Sequence, residues 1–344
     1  MRHTAAKLGL SVNRNGRNYV TTDTDDRPVR HPDSAPRPLL TYVSLSYRYL
    51  RLGMVALVGL IFVSVAIEVL STPDRCFQGS ISAYYYTPVQ FIFVASLVAI
   101  GMCMIVLKGS NEWEDAFLNV AGLLAPIVAL VPTIYPGSCS SVQPMEDAST
   151  AAQNVENNVL AYAILGAVAL LLTWVARARV RTSHGIANVP AVAGFKFSLW
   201  LTSGIALLGV VVFFAARPFF IEWGHPISAI TLFVFIIAVV CQNSIQKGRT
   251  AANTTKGYFF TNRYSTIGLL MIVLGVGIVV VGVRTGWEYW VLVVEATEIA
   301  LFAVFWVSQT KDAEKKIPHL DDAVAAGVVR EQTAPAVPPA NTAR

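Results

Sequence analysis

The chain reads as an all-α, polytopic membrane helix bundle with eight transmembrane helices and both termini in the cytoplasm. Three observations predict this. Apolar runs of about 20 residues, the length that crosses a ~30 Å hydrocarbon core, recur eight times. Of 344 residues, 54% are hydrophobic and only 14% are charged, outside the usage of soluble domains. Lys and Arg are also unevenly divided: with the N-terminus inside, 23 of 26 fall in cytoplasmic segments, and only Arg75, Arg217 and Arg284 fall outside. The expected location is the plasma (inner) membrane.

Residues 1–48 hold eight Lys/Arg against four Asp and are polar, Pro-rich and aperiodic. They bury too little apolar surface to offset ordering entropy, so a disordered basic cytoplasmic tail is predicted. Its basic residues are dispersed with no aromatic platform between them, which argues against a nucleic-acid partner. No cleaved signal peptide is expected, because the first apolar run starts near residue 52. The transmembrane domain occupies 49–309. A second disordered cytoplasmic tail, 310–344, opens with Lys311, Lys315 and Lys316 and suits contact with anionic lipid.

Span 1 (51–71) carries Glu68 near its outer end. Span 2 (87–107) is entered through Gly79-Ser-Ile-Ser-Ala-Tyr-Tyr-Tyr-Thr87, which brings Ser82 and Tyr84 to its mouth; span 3 covers 116–135. Cys76 and Cys139, in the loops before span 2 and after span 3, are the two outer cysteines, and an oxidising exterior predicts a disulfide between them. Cys103 and Cys241 fall within spans 2 and 6 and act as small apolar residues. Span 4 (156–176) offers Ala163 and Ala167 for close packing, and span 5 covers 197–216. His225 and Pro226 open span 6 (226–246), with Ser228 just inside. In span 7 (264–283) Gly268, Gly275 and Gly282 recur at heptad spacing, as close helix packing requires.

Span 8 (289–309) contains Glu295 and Glu298, roughly 9 and 13 Å below Tyr289 at the helical rise. Charge in hydrocarbon is costly, and the i, i+3 spacing sets both on one face, which must turn toward protein. Two readings stay open. The carboxyls are either desolvated, protonated bridges between helices or a proton-bearing site reached from outside. The predicted substrate-binding or proton-coupling set is Glu295, Glu298, Glu68, His225, Ser228, Arg217, Arg284, Ser82 and Tyr84, converging on the outer half.

Ser80-Ile-Ser-Ala-Tyr84 before a Pro-initiated span, the Lys108-Gly109 exit, Ala121-Gly122 in a helix ending at Pro132-Thr133, and His225-x-x-Ser228-Ala229 together resemble bacterial multi-pass proteins of the Frag/DRAM/Sfk group. The resemblance covers the six central spans and implies a lipid-associated membrane role without catalytic residues to carry over. The Glu pair of span 8 and two extra spans depart from that group's six-helix pattern.

No Walker loop or dinucleotide fingerprint is present. Of five His, only His225 lies near a span, too few for a zinc site, and Ser228 lacks a nucleophile elbow. No cofactor or metal is expected, and the sequence assigns neither an oligomeric state nor an enzyme activity. The leading expectation is a carrier or receptor for a small solute or lipid headgroup, with membrane lipids as surroundings. An intramembrane lipid-modifying enzyme and a non-catalytic membrane scaffold are the alternatives.

Overall fold

The computed structural model describes residues 10–12, 18–20, 37–109, 111–133, 139, 148–184, 190–252 and 262–316. Two compact units are distinguished, 1–44 and 45–344. In the first, β1 (Leu10–Val12) pairs antiparallel with β2 (Asn18–Val20), Ser11 opposite Tyr19. Part of the segment expected to be disordered therefore has regular structure. Val12, Tyr19 and Val20 are β-formers, and the intervening Asn-Arg-Asn-Gly-Arg is turn-rich in composition.

Among the described residues eight helices follow: α1 (Arg37–Ser71), α2 (Gln90–Val106), α3 (Glu112–Leu130), α4 (Ala148–His184), α5 (Pro190–Ala215), α6 (Arg217–Ala252), α7 (Arg263–Thr285) and α8 (Trp290–Lys316). Seven of them are long and apolar enough to cross a membrane, which makes this a multi-pass membrane protein. The exception is α2: its 17 residues reach about 26 Å at the helical rise, and a 3-10 turn at Ser82–Tyr86 precedes it. Several boundaries differ from the sequence expectation: α4 and α5 begin at Ala148 and Pro190, ahead of the predicted 156 and 197, and α8 runs to Lys316, into the predicted tail 310–344. Helix α1 starts within the predicted tail, at Arg37, where Pro38 presets a helical φ for the first turn. Helix α6 starts at Arg217 rather than Pro226, which lies inside it. A membrane helix tolerates an internal Pro, since neighbouring groups re-satisfy the freed carbonyl.

Helix α3 is central. In its apolar stretch 61% of residues are buried, against 6% in α4. Asn111 starts α3 by accepting the Glu114 N–H at 2.9 Å, and Glu112, Glu114 and Asp115 place negative charge on the first turn. Pro126 leaves the Gly122 carbonyl without its helical donor, and α2 crosses there: a Cβ on Gly101 would lie 2.7 Å from Gly122 O, and one on Gly122 would lie 2.6 Å from Gly101 O. Gly122→Ala must force the two helices apart, with an expected loss of about 1–3 kcal/mol. Thermal unfolding in lipid nanodiscs measures it.

The core between α1, α2, α3, α6, α7 and α8 is filled by Met54, Met104, Val120, Val240, Met271, Phe305 and Trp306. All three heptad-spaced glycines of α7 lie against a neighbouring helix, Gly275 against Glu298 of α8. Val240 of α6 covers Gly268, and Trp290 of α8 sits where a side chain on Gly282 would go. Gly286 ends α7 at φ 65°, a left-handed cap that favours glycine.

Candidate functional site

The loop between α1 and α2 is folded into the protein. A Cys76–Cys139 disulfide ties it to the segment after α3, and Gln78, Ser80 to Thr87 and Val89 are buried. Local bonds set its shape. The Tyr84 hydroxyl accepts from the Gln78 N–H at 3.2 Å, Thr87 donates to Tyr84 O at 2.8 Å, and Tyr86 donates to Thr133 O at 3.0 Å. Burial pushes the Tyr84 phenol above its ordinary value and keeps it a hydroxyl.

Glu295 caps this loop. The 3-10 turn begins, like any helix, with N–H groups that lack intrahelical acceptors. Glu295 Oε2 accepts from Ser80 Oγ (2.8 Å), Ile81 N (2.7 Å) and Ser82 N (3.4 Å), while Oε1 accepts from Ser82 Oγ (3.1 Å). The loop also supplies an acceptor to α8, since the Leu292 N–H donates to Gly79 O at 2.9 Å. A carboxyl group at the positive end of a turn, with its donors already in place, holds the loop as a structural cap.

His225 has a comparable task on one side of its ring. Pro132 has no N–H, so the Val128 carbonyl at the end of α3 has no helical donor. His225 Nδ1 fills the gap, 3.0 Å from Val128 O and 2.7 Å from Val131 O. Both partners are acceptors, so Nδ1 carries a proton, which leaves Nε2 to exchange a proton or accept a hydrogen bond. Nε2 is buried and has no hydrogen-bond partner.

Glu298 differs from Glu295. It is 5% exposed, and among the described residues neither carboxyl oxygen has a hydrogen-bond partner. Its position, two turns inside α8, is possible because α7 presents Gly275 there; a Cβ on that residue would lie 2.7 Å from Oε1.

His225, Glu295 and Glu298 line one cavity of about 640 Å³ between α6, α7 and α8, reached by Ser80 and Thr133 from the loops. Its walls are apolar, with Phe233, Met271, Val276 and Trp290 among them, and among the described residues neither Lys nor Arg lines it. The chemistry available is hydrogen-bond acceptance and proton exchange in apolar surroundings. Among the described residues no cluster of three or more His, Cys, Asp or Glu could hold a metal ion.

The expected convergence is therefore narrower than the sequence suggested. Ser82 belongs to the site through Glu295, and Tyr84 supports the loop from within. Ser228 faces a second, apolar cavity of about 300 Å³ with Tyr162 and Phe213. Glu68, half-buried on α1, does not line the site. Arg217 pairs with Glu156 of α4, and Arg284 is exposed at the end of α7, so neither arginine reaches the cavity.

A second polar cluster, at the other end of the same helices, was missed. Asn243 Nδ2 donates to the buried Glu114 carboxylate at 2.7 Å, and Gln309 Nε2 donates to Asn243 Oδ1 at 2.5 Å. Nearby, Asp312 of α8 pairs with Arg263 of α7, accepts from Lys247 of α6 at 2.6 Å and accepts from the Tyr264 hydroxyl at 2.8 Å. The residue types were visible in sequence, but each sits at a predicted span edge, where polar residues are ordinary. No family model, curated protein or solved structure matches the chain.

Proposed function

We propose that the protein is a plasma-membrane carrier or receptor for a small solute or lipid headgroup, with Glu298 as its binding and proton-exchanging group. In this reading all eight helices cross the membrane and both termini are cytoplasmic. That orientation leaves 23 of 26 basic residues inside and turns the cavity toward the outer half of the bilayer. The observation that carries the reading is the carboxyl of Glu298, buried beside an apolar cavity with both oxygens unpartnered. Intramembrane carboxyls are costly, and structural ones are hydrogen-bonded, as Glu295 is. Glu298 has no such role, so its natural partner is an incoming group or a proton. Exchange of one for the other at Glu298 is the coupling event.

The test is labelling of the purified protein in nanodiscs with an apolar carbodiimide across pH, with the modified residue mapped by peptide mass. Glu298 is expected to react at low pH and to stop reacting through a single transition as pH rises, because the reagent needs the protonated acid. Glu298→Gln should abolish that adduct, and Glu295→Gln should leave it. Absence of a Glu298 adduct at every pH would defeat the proposal and leave a sealed helix contact.

A further inference from the structure

The walls of this cavity indicate what enters it and from where. Helices α6 and α7 touch near Gly268, which a Cβ would bring to 3.4 Å from Val240 and 3.7 Å from Cys241. Toward the loops their cavity-lining residues are open to the outside: Ile230 of α6 is 66% exposed and Val276 of α7 is 60% exposed, with Val234 and Val280 beside them. These residues lie on apolar stretches of membrane-crossing helices, so the gap between α6 and α7 faces acyl chains. Its rim is a side entrance.

Within the gap, the groups without partners are both carboxyl oxygens of Glu298 and Nε2 of His225. With neither Lys nor Arg among the described lining residues, an anionic ligand would meet no cationic side chain and would lie against the Glu298 carboxyl. A ligand with an N–H donor and positive charge would gain a charge-assisted hydrogen bond in a low-dielectric site. The apolar walls continue to the bilayer, so its remaining bulk is hydrocarbon.

We propose that the crevice admits a lipophilic ammonium compound sideways from the outer leaflet, its N–H on the Glu298 carboxylate and its chain along Ile230, Val234, Val276 and Val280. This rests on the reading of Glu298 as a binding group and adds the ligand's charge class and its route. The binding step is ion pairing alone. A proton on Glu298 leaves when the ammonium arrives and returns when it departs.

The experiment is equilibrium and stopped-flow binding of tritiated N,N-dimethyldodecylamine to the full-length protein in zwitterionic nanodiscs. Competitors are dodecanol, dodecanoate and trimethylamine. The expected result is saturable binding to one site, with dodecanol at least tenfold weaker as a competitor and dodecanoate and trimethylamine weaker still. Glu298→Gln should weaken the amine at least tenfold. Val276→Trp, at the lipid-facing rim, should slow association severalfold, whereas loss of chain contact alone would act on dissociation. Equal competition by dodecanoate would overturn the charge assignment. Equal competition by trimethylamine, or an unchanged association rate in Val276→Trp, would overturn the lateral route. Absence of saturable binding would overturn the inference as a whole, while the carbodiimide titration of Glu298 separately decides whether the carboxyl is a titrating site.

Discussion

Glu295→Ala is expected to destabilise the bundle by about 2–4 kcal/mol, the cost of leaving several donors of a buried loop unmade. The reason is local and countable. The substitution leaves the Ile81 N–H and the Ser80 and Ser82 hydroxyls, all bonded to that carboxylate, without their acceptor in a buried loop, while the Ser82 N–H keeps Ser80 Oγ at 2.9 Å. Buried donors left unmade cost about 1–3 kcal/mol each, reduced here because the loop can relax toward water. Glu295→Gln retains one acceptor oxygen but turns an NH2 toward donors, and should fall between. Glu298→Gln is the informative contrast: no hydrogen bond is lost, so stability should change by less than about 1 kcal/mol. Thermal unfolding of the three variants in identical nanodiscs gives the comparison. Equal losses in Glu295→Ala and Glu298→Gln would contradict the division between a structural and an available carboxyl.

Loss of the bridge by Cys76→Ser with Cys139→Ser is the second large effect, expected at about 2 kcal/mol. A cross-link over a sequence separation of 63 would contribute about 4 kcal/mol if the reduced chain were a free coil. It is not one. Helices α2 and α3 lie between the cysteines, and in a membrane they stay helical when tertiary contacts fail, so less freedom is gained. Because the bridge and Glu295 hold the same loop, their effects should not add. A double-mutant cycle of Glu295→Ala with the cysteine pair is expected to show coupling of roughly 0.5–3 kcal/mol.

Much of the helical frame is readable from hydropathy because the bilayer forces backbone polar groups into helices, whatever the side chains do. Close packing was readable too: Gly268 and Gly282 lie under neighbouring helices as their spacing suggested. The misreadings share a cause. Pro226 signals a helix start in water, yet α6 passes through it, so His225 lies within a helix instead of at its mouth. Its task was recorded in residues far away, in the missing N–H of Pro132 and the carbonyl it leaves open. Glu295 and Glu298 look equivalent in sequence. They are separated by what stands opposite, a turn of N–H donors in one case and the bare backbone of Gly275 in the other. Glu114 reads as a solvated first-turn acid after an Asn cap, and it is buried only because Asn243 and Gln309 meet it from α6 and α8. Periodicity describes one helix at a time, and these pairings belong to several.

The order in which the chain is made gives the Glu295 cap a further consequence. Cys76, the Ser80–Ser82 donors and Cys139 all emerge before α4, whereas Glu295 belongs to the last helix. At a synthesis rate of roughly 5–20 residues per second, about 8–30 s pass between Cys139 and Glu295. During that interval the loop can be stapled across α2 and α3 while its donors still lack an acceptor. The final helix then arrives at a receptor already built, and a chain that stops short of it presents unmet donors as a mark of incompleteness.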